Sequence, residues 1–288
     1  MRIAGAPISW GVCEVPGWGH QLTADRVLTE MAALGIVATE FGPDGFLPAD
    51  PAQRREFLGR YGLTAVGGFV PVVLHEPGHD PVPEVLAQLP AFLASGASTL
   101  VLAAATGQVG YDQRRTRDTA GWRTLLARLD ALAGVAADHG IVATLHPHVG
   151  TLVERAEEVW RVLDGSDIGL CLDTGHLLVG GADPVEIARK ATDRIAHVHL
   201  KDVDAALAAR VRAGDVGYRD AVATGMYRPL GDGDVGIAEI LTALTGAGYA
   251  GWYVMEQDTV LVGEPAGGSG PLTDVQRSLA RLASSAGA

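Results

Sequence analysis

The chain has 288 residues, 48% hydrophobic and 19% charged, a balance that suits one large buried core and argues against disorder. Its formal charge of −12, from 34 acidic and 22 basic residues, repels phosphate backbones and anionic lipid, so neither nucleic acid nor membrane is an expected partner. Cys13 and Cys171 do not make a disulfide framework, and no apolar stretch has signal-peptide or transmembrane length, so the expected location is cytoplasmic. The composition leaves a homo-oligomer open.

Short apolar runs alternate with segments of helical period along the whole chain. The first half reads as strand Ile3–Trp10, helix Thr23–Leu34, strand Ala38–Gly42, helix Ala52–Tyr61, strand Leu63–Val73, helix Pro83–Ser95, strand Thr99–Ala105 and helix Thr119–His139. The second reads as strand Ile141–His148, helix Ala156–Leu163, strand Ile168–His176, helix Pro184–Thr192, strand Ile195–Asp202, helix Ile237–Ala247, strand Gly251–Asp258 and helix Thr273–Ser284. Gly35, Gly62, Gly96, Gly140 and Gly248 each follow a helix, where a C-cap needs positive φ, and Pro184 after Asp183 suits a helix start. Pro90 is expected to kink or split its helix.

Eight strand–helix units predict a single-domain TIM (β/α)8 barrel over residues 1–288. An open doubly wound sheet would need a Gly-rich phosphate turn after its first strand, and Gly11–Gly17 is not one. Val203–Val235 and Thr259–Pro271 read as irregular, and the first is expected to form a lid.

Barrel sites form at strand C-termini, and the last strands end in Leu145-His146-Pro147-His148, Leu172-Asp173-Thr174-Gly175-His176, His197-Val198-His199-Leu200-Lys201-Asp202 and Glu256-Gln257-Asp258. Period two turns His146 with His148, and His197 with His199, to one face. Asp173, His199 and Glu256 on successive strands make a ligand set for a borderline ion such as Mn²⁺, Co²⁺ or Zn²⁺, with Mg²⁺ less suited to imidazole. Singly, Asp173 reads as a helix cap, His197 as a structural hydrogen-bonder and Glu256 as a partner for an arginine. Jointly, Asp173, His199 and Glu256 favour a metal, because two adjacent buried carboxylates are costly without a cation.

These segments resemble the xylose-isomerase-like superfamily of sugar isomerases and epimerases, and within it the inosose (2-keto-myo-inositol) dehydratases. Ala6–Gly11, Val15–Gly19, Thr39–Pro48 and His146–Thr151 carry the dehydratase likeness, and the Asp173, His199 and Glu256 segments are shared more broadly. The resemblance implies that Asp173, His199 and Glu256 bind the metal. It also puts His146 where the superfamily usually has a glutamate ligand, leaving His146 either a fourth ligand or a substrate-facing group. The missing carboxylate counts against simple epimerisation.

The expected activity is a metal-dependent lyase that dehydrates a keto-polyol through an enediolate, with Mn²⁺ or Co²⁺ as the preferred ions. His148, His176, Glu40 and Lys201 are the candidate acid/base or substrate-contact groups, and Trp10, Trp18 and Arg228 the candidate substrate-binding ones. Structural readings stand beside these: Glu40 would hold loop amides, His176 would orient Asp173, Lys201 would pair with Asp202, the tryptophans would be core and Arg228 exposed. The rival functions are a sugar isomerase or ketose 3-epimerase, a C-glycoside-cleaving lyase, a DNA repair endonuclease (disfavoured by the acidic charge) and a non-catalytic sugar-binding subunit.

Overall fold

The computed structural model describes residues 1–108, 110–112 and 117–286. In chain order its first elements are β1 (Arg2–Gly5), α1 (Ala24–Ala33), β2 (Ala38–Thr39), α2 (Pro51–Gly59), β3 (Thr64–Ala65), β4 (Gly67–Val72), α3 (Val82–Ser95), β5 (Thr99–Ala104), α4 (Thr119–Asp138), β6 (Val142–Leu145) and α5 (Ala156–Gly165). There follow β7 (Gly169–Asp173), α6 (Thr174–Gly180), α7 (Pro184–Lys190), β8 (Ile195–Leu200), β9 (Asp202–Val203), α8 (Ala205–Ala213), α9 (Tyr218–Ala223), β10 (Tyr227–Arg228), α10 (Ile237–Gly246), β11 (Trp252–Met255) and α11 (Pro271–Ala286).

The sheet order β3-β2-β1-β11-β8-β7-β6-β5-β4 begins and ends on the two halves of one expected strand. Val66 joins those halves and closes the barrel: its N–H donates to Thr39 O, and its carbonyl accepts from Ser98 N and Thr99 N. All eight barrel strands run parallel, as helical crossovers between successive strands allow. Ala4, Ala38, Val66 and Val254 form a small apolar cluster of their own, while Gly5, the next residue on β1, faces Met31 of α1. The alternation therefore turns Ala4, Ala38 and Val254 into the barrel and sets Glu40 and Glu256, two residues on, one layer above them.

The eight expected helices are present, with Thr23, Asp50, Asp118 and Asp183 accepting from their first-turn amides. Three expectations are corrected. The first strand stops at Gly5, because Pro7 starts a short 3-10 turn over Pro7–Trp10. The strand expected to reach His176 stops at Asp173, whose carboxylate caps α6. Pro90 does not split α3; it sits exposed on the outer face, where its missing amide bond leaves the buried face of Val85, Leu89 and Phe92 intact.

The segment Val203–Val235 is also more regular than expected, holding β9, α8, α9 and β10. Asp202 pins it. The buried Asp202 carboxylate accepts from Val203 N, Gly231 N, Gly233 N and Val235 N at 2.7–3.1 Å. A Cβ at Gly233 would stand 2.3 Å from Asp202 Oδ1, so only glycine allows that approach.

Candidate functional site

Strand register assembles the site. Asp173 on β7 is the register partner of His199 on β8, and Cys171 that of His197 one layer below. Asp173 splits its carboxylate between two tasks. Oδ1 accepts from Gly175 N and His176 N at 2.9 and 2.8 Å, capping α6, while Oδ2 lies 3.5 Å from His199 Nδ1 and 3.4 Å from Lys201 Nζ. Glu256 Oε2 stands 3.3 Å from the same His199 nitrogen and 3.0 Å from Lys201 Nζ. Asp173, His199 and Glu256 offer ligand atoms that all lie within 4.8 Å of one another.

The cluster is rich in buried carboxylates. Glu40, Asp173, Glu256 and Asp258 are all buried around one lysine, Lys201. Burial opposes ionisation of Asp173, but Lys201 and His176 hold its pKa well below the usual value; burial likewise opposes Glu256, which His199 and Lys201 bring down. Burial opposes charge on His199 too, yet Cys171, Glu256 and Glu40 raise its pKa well above the histidine norm. The cluster thus attracts positive charge to the point between Asp173, His199 and Glu256. His199 Nδ1 makes no hydrogen bond there. A carboxylate–imidazole–carboxylate set with that field suits a divalent ion.

A cavity of about 400 Å³ opens above the cluster, walled among others by Glu14, Trp18, Glu40, Phe69, Tyr111, His146, His148, His199, Lys201, Glu256 and Asp258. His148 Nδ1 donates to Val149 O at 2.7 Å, so the neutral ring carries its lone pair on Nε2. Burial, then Lys201, lower its pKa to about 4 and keep it neutral. His176 backs it, with ring centroids 3.7 Å apart, and accepts from Val149 N on its own Nδ1. His146 Nε2 lies 3.0 Å from Asp173 Oδ2 while its Nδ1 has no hydrogen-bond partner.

Lys201 pairs with Asp258 at 2.7 Å, not with Asp202, which serves the loop amides. Burial opposes its charge, but Asp173, Asp258 and Glu256 raise its pKa well above the lysine norm. Asp258 Oδ2 also accepts from Tyr218 Oη at 2.6 Å, and Tyr218 Oη meets Tyr227 Oη at 2.9 Å. Glu40 accepts from His197 and His199, at 2.8 and 2.9 Å, instead of holding loop amides.

Of the candidate substrate-binding residues, only Trp18 lines the cavity, its indole anchored on Thr259 O and its edge against Tyr111. Trp10 is core, its Nε1 donating to Glu30. Arg228 lies off the cavity wall in a half-exposed pair with Asp204. Asp258, Tyr218, Tyr111 and Glu14 join the site without having been singled out from the sequence. Asp258 had a signal, since period two puts it on the face of Glu256. Tyr111 and Tyr218 come from outside the strands, and nothing local marks them.

The family profile described as xylose isomerase-like TIM barrel matches residues 28–283. The chain belongs to that family. It is 34% identical over 273 residues to an inosose dehydratase of Geobacillus kaustophilus (strain HTA426), covering 90% of this chain and 87% of that protein. It is 32% identical over 299 residues to the rhizopine catabolism protein MocC of Rhizobium meliloti, covering 100% and 90%. Among solved structures, the IOLI protein with a bound zinc atom superposes with a TM-score of 0.70 at 13% identity, over 99% of this chain and 98% of that one. That last likeness is one of fold. Among the described residues, no helix is long and apolar enough to cross a membrane.

Proposed function

We propose that this xylose-isomerase-like barrel is a metal-dependent lyase that dehydrates a keto-polyol of the inosose type. The observation that carries the reading is the buried Asp173–His199–Glu256 cluster facing a cavity that also presents His148 and Lys201. The inosose dehydratase relatives supply the substrate class. Asp173, His199 and Glu256 would hold the ion, with Mn²⁺ or Co²⁺ preferred, Zn²⁺ next and Mg²⁺ least suited to imidazole. When bound, the ion supplies Lewis-acid polarisation of the substrate carbonyl and its vicinal oxygen. His146 stays beside Asp173 as a further ligand or a substrate contact.

The chain's own residues do the proton work. His148 Nε2 takes the proton from the carbon next to the carbonyl, which leaves an enediolate. Lys201, held charged by its carboxylates, stabilises the negative charge that develops on oxygen. The His148 imidazolium then returns the same proton to the departing β-hydroxyl, so that one water leaves and the histidine is regenerated. His176 packs behind His148 with its ring tilted by 36° and holds that ring in place. Tyr111, with the buried Trp18 packed against it, presents apolar ring surface to the C–H face of a polyol. The barrel acts as one domain in the cytoplasm, on a small neutral polyol, without a nucleic-acid or membrane partner.

NMR of the product made from 2-keto-myo-inositol in D₂O tests this reading. A product lighter by one water, with a CH2 or CHD carbon in place of a carbinol carbon, supports it. Deuterium exchange with every hydroxyl retained would assign the site to an epimerase instead.

A further inference from the structure

We propose that Glu40 and His197 are positioning residues that hold His199 so that it meets the divalent ion through Nδ1. The inference rests on the metal reading above and concerns how this chain prepares one ligand. Glu40 follows β2 and lies across the barrel from β8, yet its Oε1 alone is 2.8 Å from His197 Nε2 and 2.9 Å from His199 Nε2. An ionised carboxylate oxygen only accepts, so both imidazoles present Nε2–H to it. Two donors converging on one oxygen fix Glu40 as firmly as Glu40 fixes them. All three residues are buried, with no side chain more than 5% exposed.

The consequence is a choice of nitrogen. With Nε2 committed to Glu40, the nitrogen that His199 turns toward Asp173 Oδ2 and Glu256 Oε2 is Nδ1, at 3.5 and 3.3 Å and without a hydrogen bond. A carboxylate behind a ligating imidazole orients the ring and makes it a better donor. His197 completes the relay from the layer below, where period two sets it on the same face as His199. Glu40, His197 and His199 also lie close enough to be a cation site of their own. Their shared oxygen and hydrogen-bond spacing favour protons on both nitrogens instead.

The test is NMR of protein labelled with ¹⁵N-histidine and loaded with cadmium-113, His199 being assigned by its loss in His199→Asn, together with zinc affinity by chelator competition. In the wild type, the metal coupling is expected on His199 Nδ1, with Nε2 still protonated. Glu40→Gln, checked for folding by circular dichroism, is expected to bind zinc about 10- to 100-fold more weakly. Coupling on Nε2 overturns the proposal without any variant. Unchanged zinc affinity in a folded Glu40→Gln protein, or two ions per wild-type chain with one lost in that variant, overturns it too. If the wild type binds neither zinc nor cadmium, the metal reading itself fails and the relay falls with it.

Discussion

Asp173 and His199 are register partners on adjacent parallel strands, and that pairing holds Asp173 Oδ2 3.5 Å from His199 Nδ1. The other oxygen of the same carboxylate closes the first turn of α6. One side chain therefore caps a helix with one oxygen and, in the proposed function, would hold the ion with the other. The two duties separate by mutation.

Asp173→Asn keeps an oxygen that can accept from Gly175 N and His176 N but loses the charge facing His199. It is expected to retain most of the wild-type stability while losing tight metal binding. Asp173→Ala loses the cap as well, at a cost of about 0.5–2 kcal/mol. Urea unfolding and metal analysis of both variants check this; stoichiometric metal in either would remove Asp173 from the ligand set.

His148→Gln removes the proposed proton carrier and leaves Asp173, His199 and Glu256 untouched. Turnover is expected to fall by about 10²–10⁴-fold with the metal content unchanged. Wild-type kcat in this variant would move the proton step to another group.

The Asp202 carboxylate serves four amides, Val203 N on β9 and three in the stretch that leads into α10. Asp202→Ala strands those donors, and even partial rehydration leaves a loss of about 1–3 kcal/mol. Protease sensitivity should rise first between residues 229 and 236. A variant as stable and as resistant as the wild type would show that the segment holds itself.

Both cysteines are expected to resist alkylation. Burial and the neighbouring Glu14 carboxylate raise the Cys13 thiol, and burial pushes Cys171 up to about 11. A raised thiol pKa means little thiolate at pH 8, so iodoacetamide should leave both unmodified in the folded protein and label both in denaturant. Rapid labelling of Cys13 in the folded chain would contradict its environment.

The barrel and its Asp173–His199–Glu256 cluster were legible in the sequence because both depend on short-range patterns. Strand ends such as His197-Val198-His199 show polarity that a closed barrel can place only at its mouth. The break at Val66 was not legible: Leu63–Val73 reads as one apolar run, and which neighbour each half pairs with is a long-range fact. α6 hid because its residues are buried on nearly every side, leaving no polar face to set a helical period. Tyr218 reaches Asp258 across 40 residues of chain, and no local spacing encodes such a contact. Trp10 was singled out for the cavity and instead packs in the core, because the turn Pro7–Trp10 carries it toward Glu30 of α1.

The measurement that bears most directly on the central claim is turnover of 2-keto-myo-inositol by chelator-treated protein before and after adding Mn²⁺ or Co²⁺. The account predicts no dehydration without metal and recovery on its return, with no recovery in Glu256→Ala. Full dehydration by the metal-free protein would contradict it.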